Sequence, residues 1–156
     1  MKNMFFYDTK IGRIAITDDG KNIIGVERAD GVNTKDMNVC ETELLKEAAE
    51  QLVEYLDGFR KTFDLPLNPQ GTEFQKKVWN ALCDIPYGET RSYKQIAEAV
   101  GNHKASRAVG MANNRNPIMI FIPCHRVIGS NGSLVGYGGG LDMKEKLLLL
   151  EKVKAV

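Results

Sequence analysis

The apolar segment Ile118–Ile122 places the strongest constraint on the fold, because it runs directly into a cysteine, a histidine and an arginine. A short apolar run bounded by prolines is typical of a buried strand or of the end of one. We therefore expect Cys124, His125 and Arg126 to stand at a site that holds little water. An isolated cysteine is more often an ordinary core residue, so the rest of the chain must decide whether this cluster is reactive.

The size and the cysteine content favour a folded protein without disulfide bonds. With 156 residues, 43% of them hydrophobic, the chain can bury one core or two small ones. Cys40, Cys83 and Cys124 lack Cys-x-x-Cys spacing and cannot all pair, which favours a reducing compartment and predicts neither a metal site nor a cofactor. Because the sequence has no signal-peptide pattern and no apolar run of about 20 residues, we expect a soluble, cytoplasmic protein without membrane contact.

The first 70 residues predict a small antiparallel sheet with one helix on it. Asp19-Gly20 lies between two apolar segments and is a hairpin signal, because glycine supplies the positive φ of a tight turn. The polar residues 28–39 predict a loop. Apolar residues then recur at helical spacing from Leu44 to Leu56, and Gly58 stands where a glycine ends a helix. The predicted strands contain the apolar segments 4–7, 11–16 and 23–26.

A change of composition near residue 70 predicts a domain boundary. Pro66, Pro69 and Gly71 lie close together there, which is typical of a linker. Residues 1–70 carry 9 Lys+Arg against 13 Asp+Glu and residues 71–156 carry 12 against 7, so the net charge changes from −4 to +5. We expect an α/β domain over 1–70 and a second domain over 71–156. The positive second half is compatible with an anionic partner or with an ordinary solvated surface.

Two capping boxes predict where helices begin in the second half of the chain. Thr72 with Gln75 forms the first box, and Ser92 with Gln95 forms the second. Another helix is predicted from Ala105 to Asn113. This helix and the one before it have the layout of a helix-turn-helix, although two small helices can also form a simple packed corner. The expected fold class is α+β, with a mainly helical C-terminal domain.

The pattern around Cys124 suits nucleophilic chemistry only if a base removes the thiol proton, because the thiolate is the reactive form. His125 is the nearest base in sequence, but successive residues of a strand point to opposite faces. Either the backbone turns at Pro123 or a water bridges the pair. An imidazole base works best when a carboxylate holds its second nitrogen. Glu151, in a last helix predicted from Asp142 to Glu151, is our candidate, against the alternative of a solvated carboxylate.

The segment Pro123–Ile128 resembles the active-site signature of the O6-alkylguanine-DNA alkyltransferases, also called methylated-DNA–protein-cysteine methyltransferases. Five further segments carry the resemblance in the same order, and together they cover nearly all of residues 72–152. They are Tyr87–Thr90, Ser92-Tyr93, Ala105–Gly110, Asn116-Pro117 and Gly139–Leu141 followed by Lys144-Glu145. The resemblance implies a ribonuclease H-like N-terminal domain. It also implies DNA repair by irreversible, single-turnover alkyl transfer from O6-alkylguanine, with O4-alkylthymine as an open alternative.

The same resemblance implies the catalytic roles of five residues. Cys124 accepts the alkyl group, His125 acts on it through a water, and Glu151 orients the imidazole. Asn116 braces the neighbouring turn, and Tyr93 donates a hydrogen bond to the departing guanine.

The resemblance also implies double-stranded DNA as the partner, with a helix in the minor groove. Arg107 on that helix fills the space left by an extruded nucleotide. Nothing in the sequence suggests an obligate oligomer, so we expect a monomer. Some members of the family bind zinc in the first domain through cysteines and histidines, but here that domain has Cys40 alone, so no zinc is expected. The expected DNA and pocket contacts are Ser92, Ala105, Ser106, Arg107, Arg115, Tyr137, Gly138 and Gly139.

Two other functional classes compete with this interpretation. A DNA-binding module without chemistry would use the helix-turn-helix alone and keep Cys124 as a core residue. A cysteine hydrolase would use Cys124 with His125, but an adjacent pair is poorly suited to direct proton transfer.

Overall fold

The chain divides into two units in the computed structural model, Met1–Gln70 and Gly71–Val156. The structure describes residues 2–133, 137 and 139–151. The fold class is α+β, as predicted, with the larger sheet in the first unit and most of the helices in the second. Within the described residues, no helix has both the length and the apolar character that a membrane span requires.

Three antiparallel strands form most of the N-terminal sheet. Strand β1 (Asn3–Thr9) pairs with β2 (Gly12–Asp18), which pairs with β3 (Ile23–Arg28). A fourth strand, β4 (Asn38–Val39), runs parallel to β1, so the strand order is β3-β2-β1-β4. The prediction of a loop over 28–39 misses β4, because its two exposed residues show no apolar pattern.

Helix α1 (Glu43–Leu56) packs on this sheet through an apolar face. The Thr42 hydroxyl accepts a hydrogen bond from the backbone N–H of Leu45 and donates one, 2.5 Å long, to the buried carboxylate of Asp18 at the end of β2. These two hydrogen bonds join the N-terminus of α1 to the end of β2. Gly58 has a φ of +84° just beyond the helix, as its predicted place at the helix end requires.

The described part of the second unit contains four α-helices, and both predicted capping boxes are present. Two of the helices are the predicted helix-turn-helix pair, and they pack against each other. Trp79 donates from its indole nitrogen to the carbonyl of Ala112 over 2.8 Å and so ties the first helix of this unit to the third. The helices are α2 (Glu73–Cys83), α3 (Tyr93–Ala99), α4 (Ser106–Asn114) and α5 (Leu141–Leu150).

The apolar run before Cys124 is buried, but the prediction that it forms a strand is wrong. The backbone N–H of Ile122 donates to the carbonyl of Ile118, and Ile120 has a φ of +76°, so this segment turns sharply. A β-branched residue in the left-handed region is strained by about 1–3 kcal/mol. Burial of the whole run offsets this strain. A continuous apolar run indicates burial without specifying extended backbone.

A short parallel sheet has one strand before and one strand after the Cys124–Arg126 cluster in sequence. Strand β5 (Arg91–Ser92) pairs with β6 (Val127–Ile128). Because β5 directly precedes α3 and β6 directly follows Arg126, this pairing brings the start of α3 close to the Cys-His-Arg segment.

Candidate active site

Cys124, His125 and Arg126 form one turn of 3₁₀ helix and are all buried. The alternation of side chains along a strand therefore does not apply to Cys124 and His125. The backbone turns directly after Pro123, which is one of the two arrangements that the sequence left open.

The carboxylate of Glu151 contacts the side chains of His125 and Arg126, the two residues that follow Cys124. Its Oε2 lies 2.8 Å from Nε2 of His125 and accepts from a guanidinium nitrogen of Arg126 at 3.0 Å. Its Oε1 accepts from Nε of Arg126 at 2.9 Å and from the backbone N–H of Gly88 at 3.1 Å. Glu151 is only 3% exposed and His125 is 0% exposed. These bonds stabilise a carboxylate that would otherwise be costly to bury.

The contact with Glu151 also determines which imidazole nitrogen is basic. A carboxylate that already accepts two bonds from Arg126 stays ionised, so Nε2 of His125 carries the hydrogen that it donates. Nδ1 is then the nitrogen that can take up a proton. Burial lowers the pKa of His125 below its usual value, partly opposed by Glu151. His125 is therefore neutral at neutral pH and available as a base.

Cys124 is a thiol at neutral pH. Burial raises its pKa to about 11, although the hydrogen bond from the Asn116 side chain and the charge of Lys144 both act to lower it. A buried thiol with so high a pKa needs help to ionise. The chemistry of the site thus requires a base near Cys124 and a positive charge that stabilises the thiolate.

Lys144 supplies that charge, and the sequence analysis assigned it no role. It lies in α5 with 0% exposure, and its Nζ donates to the carbonyl of Val127 over 2.5 Å. Burial lowers its pKa to about 8, and Cys124 opposes this shift. Lys144 shares the buried face of α5 with Met143, Leu147 and Leu148. A lysine within the apolar stripe of a helix was the signal that could have identified it.

Asn116 and Tyr93 both lie near Cys124. The Asn116 side chain donates to the carbonyl of Ile122 at 2.8 Å and accepts from the backbone N–H of Ile118 at 3.0 Å, which holds the turn before the cysteine. Tyr93 begins α3, and burial together with the charge of Cys124 raises the pKa of its phenol. The structure thus brings together all five residues predicted to be catalytic.

The residues predicted to contact DNA lie mostly at the start and end of α4. Arg107 and Arg115 are exposed, whereas Ala105 and Ser106 are partly exposed. Ser92 is occupied as the cap of α3, because its hydroxyl accepts from the backbone N–H of Gln95.

The described part of the predicted pocket wall contains Tyr137 and Gly139. A side chain at Gly139 would come within 2.7 Å of both the Tyr137 ring and the sulfur of Met143, so the absence of a side chain lets these groups pack closely. Gly138 lies outside the described residues.

Two family models match the chain, one for each half. Residues 4–69 match the ribonuclease-like domain of 6-O-methylguanine DNA methyltransferase, and residues 73–153 match its DNA binding domain. The chain belongs to this family. The candidate site lies within the segment that matches the DNA binding domain of the 6-O-methylguanine DNA methyltransferases.

Individual members of the methyltransferase family resemble the chain over nearly its whole length. It is 53% identical over 148 residues to the methylated-DNA–protein-cysteine methyltransferase of Methanosarcina acetivorans, covering 93% of this chain and 95% of that protein. The structure of the Mycobacterium tuberculosis O6-methylguanine methyltransferase has a TM-score of 0.91 and 41% identity, covering 100% of this chain and 96% of that one. A structure of Mycobacterium tuberculosis OGT in complex with DNA has a TM-score of 0.90 and 42% identity, with 96% and 92% covered.

Proposed function

We propose that this protein repairs DNA by moving a methyl or small alkyl group from O6 of guanine to Cys124, once per molecule. The observation that carries the proposal is the buried pair of His125 and Glu151, joined over 2.8 Å, directly beside a buried cysteine. Membership of the methyltransferase family supports the same activity.

The first step is ionisation of Cys124. A water between the thiol and Nδ1 of His125 carries the proton from sulfur to the imidazole, while Nε2 keeps its bond to Glu151. The resulting imidazolium lies between the carboxylate and the thiolate, and both anions stabilise it. Lys144 stabilises the thiolate from α5.

In the second step the thiolate attacks the alkyl carbon, the carbon–O6 bond breaks and a carbon–sulfur bond forms. The electron pair of the broken bond moves onto guanine, which is a poor leaving group as an anion. Tyr93 donates its phenolic proton to the base, and the proton on His125 can then return to the tyrosinate through solvent. Guanine thus gains the Tyr93 proton, the Cys124 proton replaces it on Tyr93, and the net transfer of one proton from sulfur to guanine conserves charge.

The product explains why each molecule would act once. The alkylated sulfur is a thioether that no longer ionises, and regenerating the cysteine would require a nucleophile to attack the alkyl carbon and expel the thiolate, which is a poor leaving group. Cys124 is also only 2% exposed, which limits the access of water to it.

The substrate must leave the DNA stack to reach a buried cysteine. Flipping a nucleotide out costs a few kcal/mol, and less for a damaged pair. In our proposal α4 lies in the minor groove of double-stranded DNA, Arg107 occupies the vacated space, and Arg115 contacts phosphate. Tyr137 and Gly139 border the base pocket. The protein acts as a monomer, and the free thiols of Cys40, Cys83 and Cys124 suit a cytoplasmic location.

The test is to mix the protein with a duplex that contains O6-methylguanine and to follow its intact mass. The expected result is a gain of one methyl group per molecule, located on the peptide that contains Cys124, with the plateau equal to the amount of protein. Cys124→Ser should bind the duplex with similar affinity and gain no mass. A wild-type protein that binds the duplex without gaining mass would indicate a DNA-binding module without chemistry.

A further inference from the structure

Asn113 is a buried amide in the last turn of α4, and the proposed chemistry assigns it no role. Its side chain is 1% exposed and shares the buried face of the helix with Val109 and Ala112. Its Nδ2 donates a hydrogen bond to the backbone oxygen of Cys124 over 3.3 Å. The end of α4 is thus bonded directly to the peptide group of the cysteine.

Stability does not explain why this residue is an amide. Within the described part of the chain, no donor reaches Oδ1 of Asn113. A buried acceptor that lacks a partner lowers the stability of the fold, and an apolar side chain of similar size would avoid this cost. Because Val109 and Ala112 are apolar, such a replacement suits the face on which Asn113 lies.

We propose that Asn113 is a positioning residue for alkyl transfer, and that it acts by holding the backbone carbonyl of Cys124. The proposal rests on the function proposed above for Cys124. That carbonyl also accepts from the backbone N–H of Val127, so the amide of Asn113 supplies its second bond. Together the two bonds fix the peptide frame from which the sulfur reaches the alkyl carbon. Reactions of this kind lose about 100-fold in rate when the reacting atoms are misplaced by about 1 Å.

The position of Asn113 on α4 links this role to DNA binding. Arg107 lies at the other end of the same helix and is exposed. A helix of nine residues moves as one body, so the element that would contact DNA also sets the position of the cysteine. Trp79 in α2 donates a hydrogen bond to the carbonyl of Ala112, and this bond holds the C-terminal end of α4, where Asn113 also lies.

The first experiment compares Asn113→Leu with Val109→Ala, which removes methyl groups from the same buried face of α4 and keeps the Asn113 bond to Cys124. For Asn113→Leu we expect thermal stability equal to or above the wild type and duplex affinity within twofold. Its alkylation rate constant at saturating O6-methylguanine duplex should be at least tenfold lower. Val109→Ala should be less stable but should react within twofold of the wild-type rate. An Asn113→Leu protein that reacts as fast as the wild type, or whose rate loss merely follows lost stability or affinity, overturns the proposal.

The second experiment uses Asn113→Asp to ask whether a donor at this position is what matters. A neutral carboxyl group can donate to the Cys124 carbonyl, whereas a carboxylate repels both that carbonyl and the thiolate. The rate of Asn113→Asp relative to wild type should therefore fall as pH rises from 5.5 to 8.5. A ratio that stays constant over this range contradicts the proposal.

Failure of this inference can be told apart from failure of the proposed function. If the wild-type protein gains no alkyl mass, the function of Cys124 is wrong. If the wild type reacts and Asn113→Leu reacts equally fast, only the role of Asn113 is wrong.

Discussion

Lys144 Nζ donates a 2.5 Å hydrogen bond to the backbone oxygen of Val127, and both residues are fully buried. This bond fixes α5 to β6 one residue after the Cys124–Arg126 turn. It also holds a positive charge close enough to lower the pKa of the Cys124 thiol. One side chain therefore supports both the local fold and the electrostatics of the nucleophile.

Replacement of Lys144 by methionine should slow alkylation without removing DNA binding. Without the lysine charge the pKa of Cys124 moves further above about 11, so less thiolate forms. We expect a rate constant at least about tenfold lower at pH 7, equivalent to about 1.4 kcal/mol in the barrier. The measurement is the single-turnover rate with a saturating O6-methylguanine duplex. Lys146→Met, two residues away on the exposed face of α5, should react at the wild-type rate.

Replacement of Arg126 by leucine should be among the most damaging substitutions in the second unit. Arg126 donates twice to Glu151 and once, at 2.7 Å, to the carbonyl of Ile85. Removing one partner of a buried ion pair costs about 3–5 kcal/mol. We expect a loss of this size in the free energy of unfolding, measured with urea.

The matched control for Arg126 is Arg91→Leu. Arg91 pairs with Glu89 in an exposed salt bridge, which is worth about 0–1 kcal/mol. If Arg126→Leu destabilised the protein no more than Arg91→Leu does, Arg126 would not be the partner that keeps the Glu151 carboxylate buried.

The sequence predicted the residues of this site better than their conformation. The capping residues Thr72 and Ser92 determine helix starts through local hydrogen bonds, so their patterns suffice. The turn at Ile120 depends on long-range packing, because its strained backbone persists only inside a formed core. Lys144 was missed for a different reason. Lysine is usually exposed, so its place in the apolar stripe of α5 was not interpreted as burial.

The rate of alkylation should be nearly independent of pH from about 6.5 to 7.5 and should fall as the pH passes about 8, where Lys144 loses the charge that stabilises the thiolate. Reaction requires neutral His125 and the Cys124 thiol. Burial lowers the pKa of His125 from 6.5, so protonation of the base should reduce the rate only at pH values below 6.5. Since the pKa of Cys124 is about 11, the thiol persists to pH 9. A rate that instead rises about tenfold per pH unit between 7 and 9 would indicate reaction of pre-formed thiolate without His125.

The lowered pKa of His125 also predicts how the free energy of unfolding depends on pH. The unfolded chain binds a proton at pH values where the buried imidazole does not, so stability should fall as the pH drops below 6.5. Comparing urea unfolding of the wild type and of His125→Gln from pH 7 to 5 isolates this contribution. The difference between the two proteins in the free energy of unfolding should change over that range. An unchanged difference would mean that His125 has the same pKa in the folded and the unfolded state.

Replacement of Tyr93 by phenylalanine should separate leaving-group chemistry from activation of the nucleophile. Phenylalanine keeps the ring that lies beside Gly110 but removes the hydroxyl that would donate to guanine. General acid catalysis contributes about 10²–10⁴-fold, so transfer from O6-methylguanine should slow by at least about 100-fold. Methylation of Cys124 by methyl iodide needs no proton donor, because iodide leaves unaided, and should proceed at the wild-type rate. Lys144→Met, by contrast, should slow both reactions because it affects the thiolate itself. Equal losses in both reactions for Tyr93→Phe would show that the hydroxyl acts on Cys124 and not on the departing base.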